Sequence, residues 1–352
     1  MTPAPGARAS VVGMRDVAAA VGVSVKTVSN VVNATGQVSE RTRQRVRAAV
    51  AELGYRPNPL ARGLNARTTD TITLALPGLG HGYCAPLVAE VFDLAEADGI
   101  SVVLEPTEGE RERELEVLRH RGGLRDGVLL MPTAVTARDL AALPSPGPAV
   151  LLGSRRLEGP FDGVTSKDTA AAEAAVRHLL ERGASRILLL GGVRSKDGDG
   201  PAALRSGGYR RALTAAGHTP DDTLVVETPT NSAHTRDSRE EGHAAIAELL
   251  RNGARFDAVL AHEGPLAHGA LRALHQAGVD VPGQVQVAAF GNDEDAQYSI
   301  PSLTTIQVDV RAMARSALDL LAARVREGGE PQRRHIQVPF TIIQRESTIS
   351  YG

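Results

Sequence analysis

The spacing of apolar and polar positions changes once along the chain, near residue 70. Between Gly13 and Leu53 apolar residues recur every three or four positions in three short runs. The run from Met14 to Ala20 (MRDVAAA) sets Val17 and the alanines on one face, and Gly22 then suits a sharp turn. Ser24 stands where an N-cap belongs, ahead of VKTVSNVV, whose Val28 and Val31 or Val32 are expected to point inward. Ser39, Glu40 and Arg41 open a third helix, RTRQRVRAAVAEL. It has Val46, Val50 and Leu53 on its apolar side and Gly54 as its stop. Two such short helices bury little around a tight turn unless a third covers them. The spacing therefore predicts a small all-α helix-turn-helix module.

From Asp70 onward, compact apolar runs alternate with helical stretches. The former include TITLALP, SVVLEPT, GVLLMP, AVLLGS, SRILLLGG, DDTLVVETP, FDAVLAHEG and VQVAAFGND. The latter include PLVAEVFDLAEADG, TAAAEAAVRHLLERG, GYRRALTAAG, EEGHAAIAELLRNG and GPLAHGALRALHQAG. This alternation gives parallel sheets covered on both faces, and about ten strands exceed what one sheet needs. An α/β core of two lobes is expected.

Composition narrows the class. The 352 residues include no Trp, five Phe and five Tyr, so Ala, Val and Leu must fill the interior. A single cysteine, Cys84, excludes an internal disulfide framework and a cysteine-built metal site. The opening MTPAPGARAS lacks an export signal and no 18-residue apolar span occurs, so a cytoplasmic protein with no membrane partner is expected. The net charge of -2 conceals a division: residues 1–67 carry ten Lys or Arg against three acids. A cationic head on an anionic body is what phosphate binding at one end requires.

The runs MRDVAAAVGVSVKTVSNVVN and VSERTRQRVRAAVAELGYRPNPLARGL make the reading specific. They resemble the headpiece and hinge of the lactose/galactose repressor family of bacterial regulators. The resemblance implies that Val25 and Lys26 read bases from a recognition helix in a major groove. It sets Thr27, Ser29, Asn33, Tyr55 and Asn58 where relatives touch or organise the phosphate backbone. Asn30 takes a position often held by a guanine-reading arginine. Since asparagine pairs bidentately with adenine, an altered operator base is expected there. The segment Asn58-Pro59-Leu60-Ala61-Arg62-Gly63-Leu64 resembles the hinge helix, in which Ala61 allows close approach and Leu64 wedges between base pairs. Domains are expected over 1–57 (headpiece), 58–69 (hinge helix and linker) and 70–352 (core).

The core runs SKDTAAAEAAVRHLLERGASRILLLGG, LRSGGYRRALTAAG and IPSLTTIQVDVRAMARSALDLL resemble the same family's core, a fold like periplasmic sugar-binding proteins. That implies lobes of about 70–169 with 300–332 and about 170–299 with 333–352, and an effector in the cleft between them. Arg205 matches a family arginine that clamps a sugar hydroxyl pair or a carboxylate. Other pocket positions depart from the pattern. His81-Gly82-Tyr83-Cys84 stands for Asn-Pro-Phe-Phe, Gly153 for an acid, Glu263-Gly264 for Asn-Asp, and Gly291 for the acid that grips sugar hydroxyls. Asp293 follows two residues after Gly291, where a shift in register restores an acid. The effector is therefore expected to be something other than an ordinary monosaccharide, such as a sugar derivative. The alternatives are binding through His81, Tyr83, His262, Glu263, Asn292 and Asp293, or a decayed pocket in a ligand-independent regulator.

No HExxH, phosphate loop or Ser/His/Asp arrangement occurs, and neither a cofactor nor a metal is expected. An α/β enzyme would need such a set. An exported solute-binding protein would need a signal and no basic headpiece. The expected partners are double-stranded DNA with a palindromic operator, a small-molecule effector and a second copy of the chain. A homodimer is expected because the chain closes on STISYG without a heptad tail.

Overall fold

The computed structural model describes residues 12–32, 35–55, 69–80, 83–119, 125–144, 147–195, 198–228, 238–327 and 332–349. The chain forms two compact units, Met1–Thr69 and Asp70–Gly352. In the first unit lie α1 (Met14–Val21), α2 (Val25–Val32) and α3 (Glu40–Glu52). Val17, Val28 and Val46 are fully buried at its centre, joined by Ala18, Val21, Val31, Ala49 and Tyr55. Gly22 ends α1 at φ +67°, a left-handed conformation that a β-carbon disfavours. The Arg45 guanidinium donates to the Val21 carbonyl at 2.6 Å and so pins α3 across the turn between α1 and α2. Leu53 departs from the inward position expected of it: α3 stops at Glu52, and Leu53 caps the helix with 36% of its surface exposed.

The second unit contains two six-stranded sheets. The first lobe holds β1 (Thr71–Leu76), α4 (Cys84–Ala97), β2 (Ser101–Pro106) and α5 (Arg111–Arg119). It continues with β3 (Gly127–Leu130), α6 (Ala137–Ala141), β4 (Ala149–Gly153) and β5 (Asp162–Thr165). The second lobe holds α7 (Asp168–Leu180), β6 (Ile187–Leu190), α8 (Pro201–Ala215), β7 (Val225–Val226) and α9 (Ser238–Arg251). After these come β8 (Ala258–Ala261), α10 (Gly264–Gln276), β9 (Gln286–Phe290), α11 (Asp295–Tyr298) and β10 (Thr304–Val308). The chain then returns through α12 (Val310–Glu327) and β11 (His335–Gln337) to the first lobe and ends with β12 (Phe340–Ile343) in the second.

The first sheet runs β11-β5-β4-β3-β1-β2 and is parallel throughout; the second runs β12-β10-β9-β8-β6-β7. Within the second sheet β12 is the antiparallel exception, paired with β10. It follows β11 of the first sheet by two residues, so the chain enters the second sheet directly from a strand of the first, with no helix between. Two of the expected crossings are corrected by these pairings. Residues 304–308 pair with β9 and belong to the second lobe, so the chain crosses at Asp309 and not near 300. Residues 335–337 pair with β5 in the first lobe, so the last crossing is at 338–339 and not near 333. Apolar spacing marks a strand but does not say which of two sheets it joins. The run DDTLVVETP likewise yields a two-residue strand after a 3-10 turn.

Each sheet is covered on both faces. Leu87, Val91, Met313, Ala317 and Leu321 from α4 and α12 meet one face of the first sheet. A β-carbon on Gly127 would sit 2.6 Å from Leu321 Cδ1, so the glycine makes room for the leucine side chain that α12 packs there. Asp162, fully buried, accepts from Arg324 at 2.8 and 2.6 Å and from Arg334 N at 2.6 Å, which ties α12 and β11 to β5.

Candidate nucleic-acid interface and ligand cleft

In the headpiece, α2 carries the groups suited to a nucleic acid. Ser24 Oγ accepts from Thr27 N at 3.1 Å and lies 2.9 Å from Thr27 Oγ1, so the helix start is capped. Val25, 42% exposed, and Lys26, also exposed, occupy that first turn. A branched apolar group beside an ammonium is complementary to a thymine methyl and a guanine acceptor edge. Thr27 and Ser29 are half-buried. Asn30 is held by the turn that follows: its carbonyl accepts from Thr35 N at 2.9 Å. Its amide lies so close to Gly36 (φ +71°) that a β-carbon there would be 2.7 Å from Asn30 Nδ2. Tyr55, expected where relatives touch or organise the phosphate backbone, is buried. The chain turns back at Gly54, Tyr55 N donates to Val50 O at 3.0 Å, and the ring joins the headpiece core. Asn33, Asn58, Ala61 and Leu64 lie outside the described residues, as does His81.

The cleft is organised around one buried ion pair. Gly208 lets α8 approach α7 so closely that a β-carbon would collide with the Thr169 carbonyl. Arg205, one turn earlier on α8, is thereby brought to Asp168 at the start of α7. Its Nε donates to Asp168 Oδ1 at 2.6 Å, and Nη1 donates to the His262 carbonyl at 2.6 Å. The guanidinium carbon lies 4.1 Å from the centre of the Phe290 ring. Burial alone raises the Asp168 carboxyl pKa, but Arg205 and the hydroxyls of Ser166 and Ser154 outweigh it and hold the group below its ordinary range. Tyr83, at the start of α4, reaches the same network through Ser166; burial, then the Asp168 charge, pushes its phenol well up. The His262 imidazole is lowered to about 3, chiefly by burial and then by Arg205, and is neutral at ordinary pH.

The structure thus brings Tyr83, Arg205 and His262 together, while Asn292 and Asp293 are engaged by partners outside that network. Asn292 Oδ1 accepts from Thr305 Oγ1 at 3.0 Å and from Arg345 Nη2 at 2.8 Å, within the second sheet. Asp293 accepts from Ala296 N at 3.0 Å, lies 3.3 Å from His268 Nε2, and rests against Gly264 at the start of α10. A shift in register that would restore it as a cleft acid is therefore opposed by three contacts. Glu263 is buried at the N-cap of α10. Gly153 and Gly291, at strand ends where acids are expected from the resemblance, have φ of +113° and +89°. Side chains rarely adopt either conformation. Beside Gly153, Met131 Cγ would be 3.2 Å from an added β-carbon.

Asp168, Ser154, Ser166 and Phe290 were not distinguished by sequence reasoning. Asp168 reads as an ordinary helix start, and its partner lies 37 positions away. Among the described residues no group of three or more His, Cys, Asp or Glu is placed to hold a metal ion. No described helix is long and apolar enough to cross a membrane.

Comparison with known proteins matches residues 13–58 to the model of bacterial regulatory proteins, lacI family, and residues 176–348 to a periplasmic binding protein-like domain. The chain is 31% identical over 341 residues to the HTH-type transcriptional regulator GalR of Escherichia coli (strain K12), covering 95% of each protein. It is 42% identical to a LacI-family regulator from Sanguibacter keddieii, with a TM-score of 0.70 over 79% of this chain and 98% of that one. It is 25% identical to the lac repressor dimer bound to operator and the anti-inducer ONPF, with a TM-score of 0.79 over 96% of this chain and 99% of that one.

Proposed function

The chain belongs to the lacI family of bacterial regulatory proteins, and from that premise we propose that it is a repressor that binds a palindromic operator as a homodimer and responds to a small molecule held between its lobes. The observation that carries the ligand half is the buried Arg205, fixed by Asp168, the His262 carbonyl and the Phe290 ring. A guanidinium already balanced by a carboxylate favours a neutral hydroxyl pair over an anion. Glycines at 153 and 291 withhold the acceptors that a simple hexose would use, so the ligand is a neutral sugar derivative. Tyr83 and His262 border the same grip, and Glu263 lies beside it.

Val25 and Lys26 supply base contacts, and Thr27, Ser29, Asn33 and Asn58 supply backbone contacts. Tyr55 organises that surface from within. Asn30 adds a base contact if its amide leaves Gly36, and Ala61 and Leu64 form the minor-groove wedge. The lac repressor, similar over nearly its whole length, is a dimer on its operator, which supports the same assembly here. So do exposed apolar side chains on each lobe: Leu79, Phe92 and Val103 on the first, Tyr298 and Ile300 on the second.

A random-duplex selection with the full-length protein tests the DNA half. It should enrich an inverted repeat of about 14–20 base pairs, and Asn30→Arg should move the preference at one position in each half-site. Enrichment of no sequence, with or without added sugars, would overturn the proposal. Calorimetry tests the ligand half, with heat expected from neutral glycosides and tight binding of a plain hexose contradicting it. A pocket that has lost its ligand is the second reading, favoured by Gly153 and Gly291; operator binding with no heat from any sugar would establish it.

A further inference from the structure

The lobes are joined covalently at 166–167, 309 and 338–339, and among the described residues one ion pair spans them away from those crossings. Arg155, two residues beyond β4, donates from Nε and Nη2 to the two carboxylate oxygens of Asp199 at 3.1 and 3.0 Å. Asp199 lies two residues before α8 in the other lobe. The third arm of the guanidinium, Nη1, donates to the Val135 carbonyl at 2.9 Å, within the first lobe. The Arg155 side chain is 11% exposed and that of Asp199 55%. The cation is therefore preorganised in one lobe, and the acid approaches from the other, half in water. A bidentate fork fixes both the separation and the relative orientation of the groups it joins.

Each end of this pair is continuous with the candidate ligand site. Gly153 O accepts from Ser166 N at 2.9 Å, and Ser154 Oγ lies 3.3 Å from Ser166 Oγ. Three successive residues, 153 to 155, thus hold a crossing, the cleft floor and the interlobe pair. On the opposite side Asp199 precedes the helix that carries Arg205.

We propose that Arg155 and Asp199 form an interlobe latch whose closure sets the resting opening of the cleft and, through it, the operator affinity of the dimer. The second half of this rests on the function proposed above; the first does not. Rotation of the lobes about the three crossings breaks the fork, leaving Arg155 on Val135 and returning Asp199 to water. Because the acid is half-exposed the latch is weak and salt-screened, which suits a device that a bound ligand must tip.

The test is a distance measurement across the cleft in the full-length protein. Spin labels go on Glu158→Cys and Arg211→Cys, whose native side chains are 78% and 71% exposed, while the native Cys84 is buried. Asp199→Asn should raise the population of longer separations by about two- to fivefold. Arg155→Gln should do the same, the double variant should do no more than either, and high salt should move the native protein the same way. Superimposable distance distributions, or effects that add, would overturn the latch. Operator titration of the same variants should shift the half-saturation point by a similar factor. Moved distances with unmoved operator affinity would overturn its coupling to DNA. The distance readout needs no operator and so stands apart from the function proposed above.

Discussion

The headpiece and the core do comparable work in opposite ways. In the headpiece the two residues proposed to read bases, Val25 and Lys26, are neighbours on the first turn of one helix, held by a valine core from the same short stretch. In the core the grip on Arg205 is assembled from the start of α7, the middle of α8, the end of β8 and the end of β9, with Tyr83 arriving from the other lobe. A site carried by one helix turn needs only that helix to form. A site built between two sheets needs every crossing to be right.

Three variations should sharpen this contrast. The largest effect is expected from Arg205→Ala, which leaves the Asp168 carboxylate buried without its cation. Core stability in urea should fall by about 3–5 kcal/mol and ligand response should vanish, while the headpiece melts as before. A loss below about 1 kcal/mol would mean that water reaches Asp168. Next comes Val28→Ala, at a position with 0% exposure. It should cost about 2 kcal/mol and abolish operator binding, with the core's unfolding transition unmoved.

The smallest effect separates the two units by pH. Every histidine lies beyond residue 80, so the headpiece has none to titrate. His178, bonded through Nε2 to Thr348 Oγ1 at 2.9 Å, is lowered to about 4 by burial and then by Arg182. The unfolded chain takes up this proton near pH 6.5 and the folded core only near 4. The core should therefore lose stability as pH falls through that window, about 1 kcal/mol from this residue by pH 5.5. His178→Gln should remove that share of the slope. A headpiece transition that moved equally would erase the distinction.

Much of the architecture was legible beforehand. Period-3.6 spacing and the caps at Ser24 and Ser39 located the three headpiece helices, because capping and amphipathicity act within a few residues. The alternation after Asp70 implied two α/β lobes. The errors lay where long-range pairing decides: strand 304–308 joins the second sheet, strand 335–337 the first, and β12 runs antiparallel. Within the cleft, Arg205 was legible by resemblance and Asp168 was not, because an aspartate opening a helix looks the same whether it faces water or a buried arginine.

The sequence by itself determined the local matters: which segments become helix or strand, where they stop, that the basic charge gathers at one end, and that acids are missing at 153 and 291. Hydrogen bonding and side-chain sterics over a few neighbouring residues are enough for these. Only the tertiary structure decided the rest. It set Arg205 against Asp168 through the Gly208 contact, engaged Asn292 with Thr305 and Arg345 and Asp293 with His268, turned Tyr55 into the headpiece core, and brought Arg155 to Asp199 across the lobes. The partners in those polar pairs are 13 to 53 positions apart, and nothing local in either residue of a pair encodes the other. Their meeting is fixed by how two twisted sheets and their helices pack, which is a property of the whole chain.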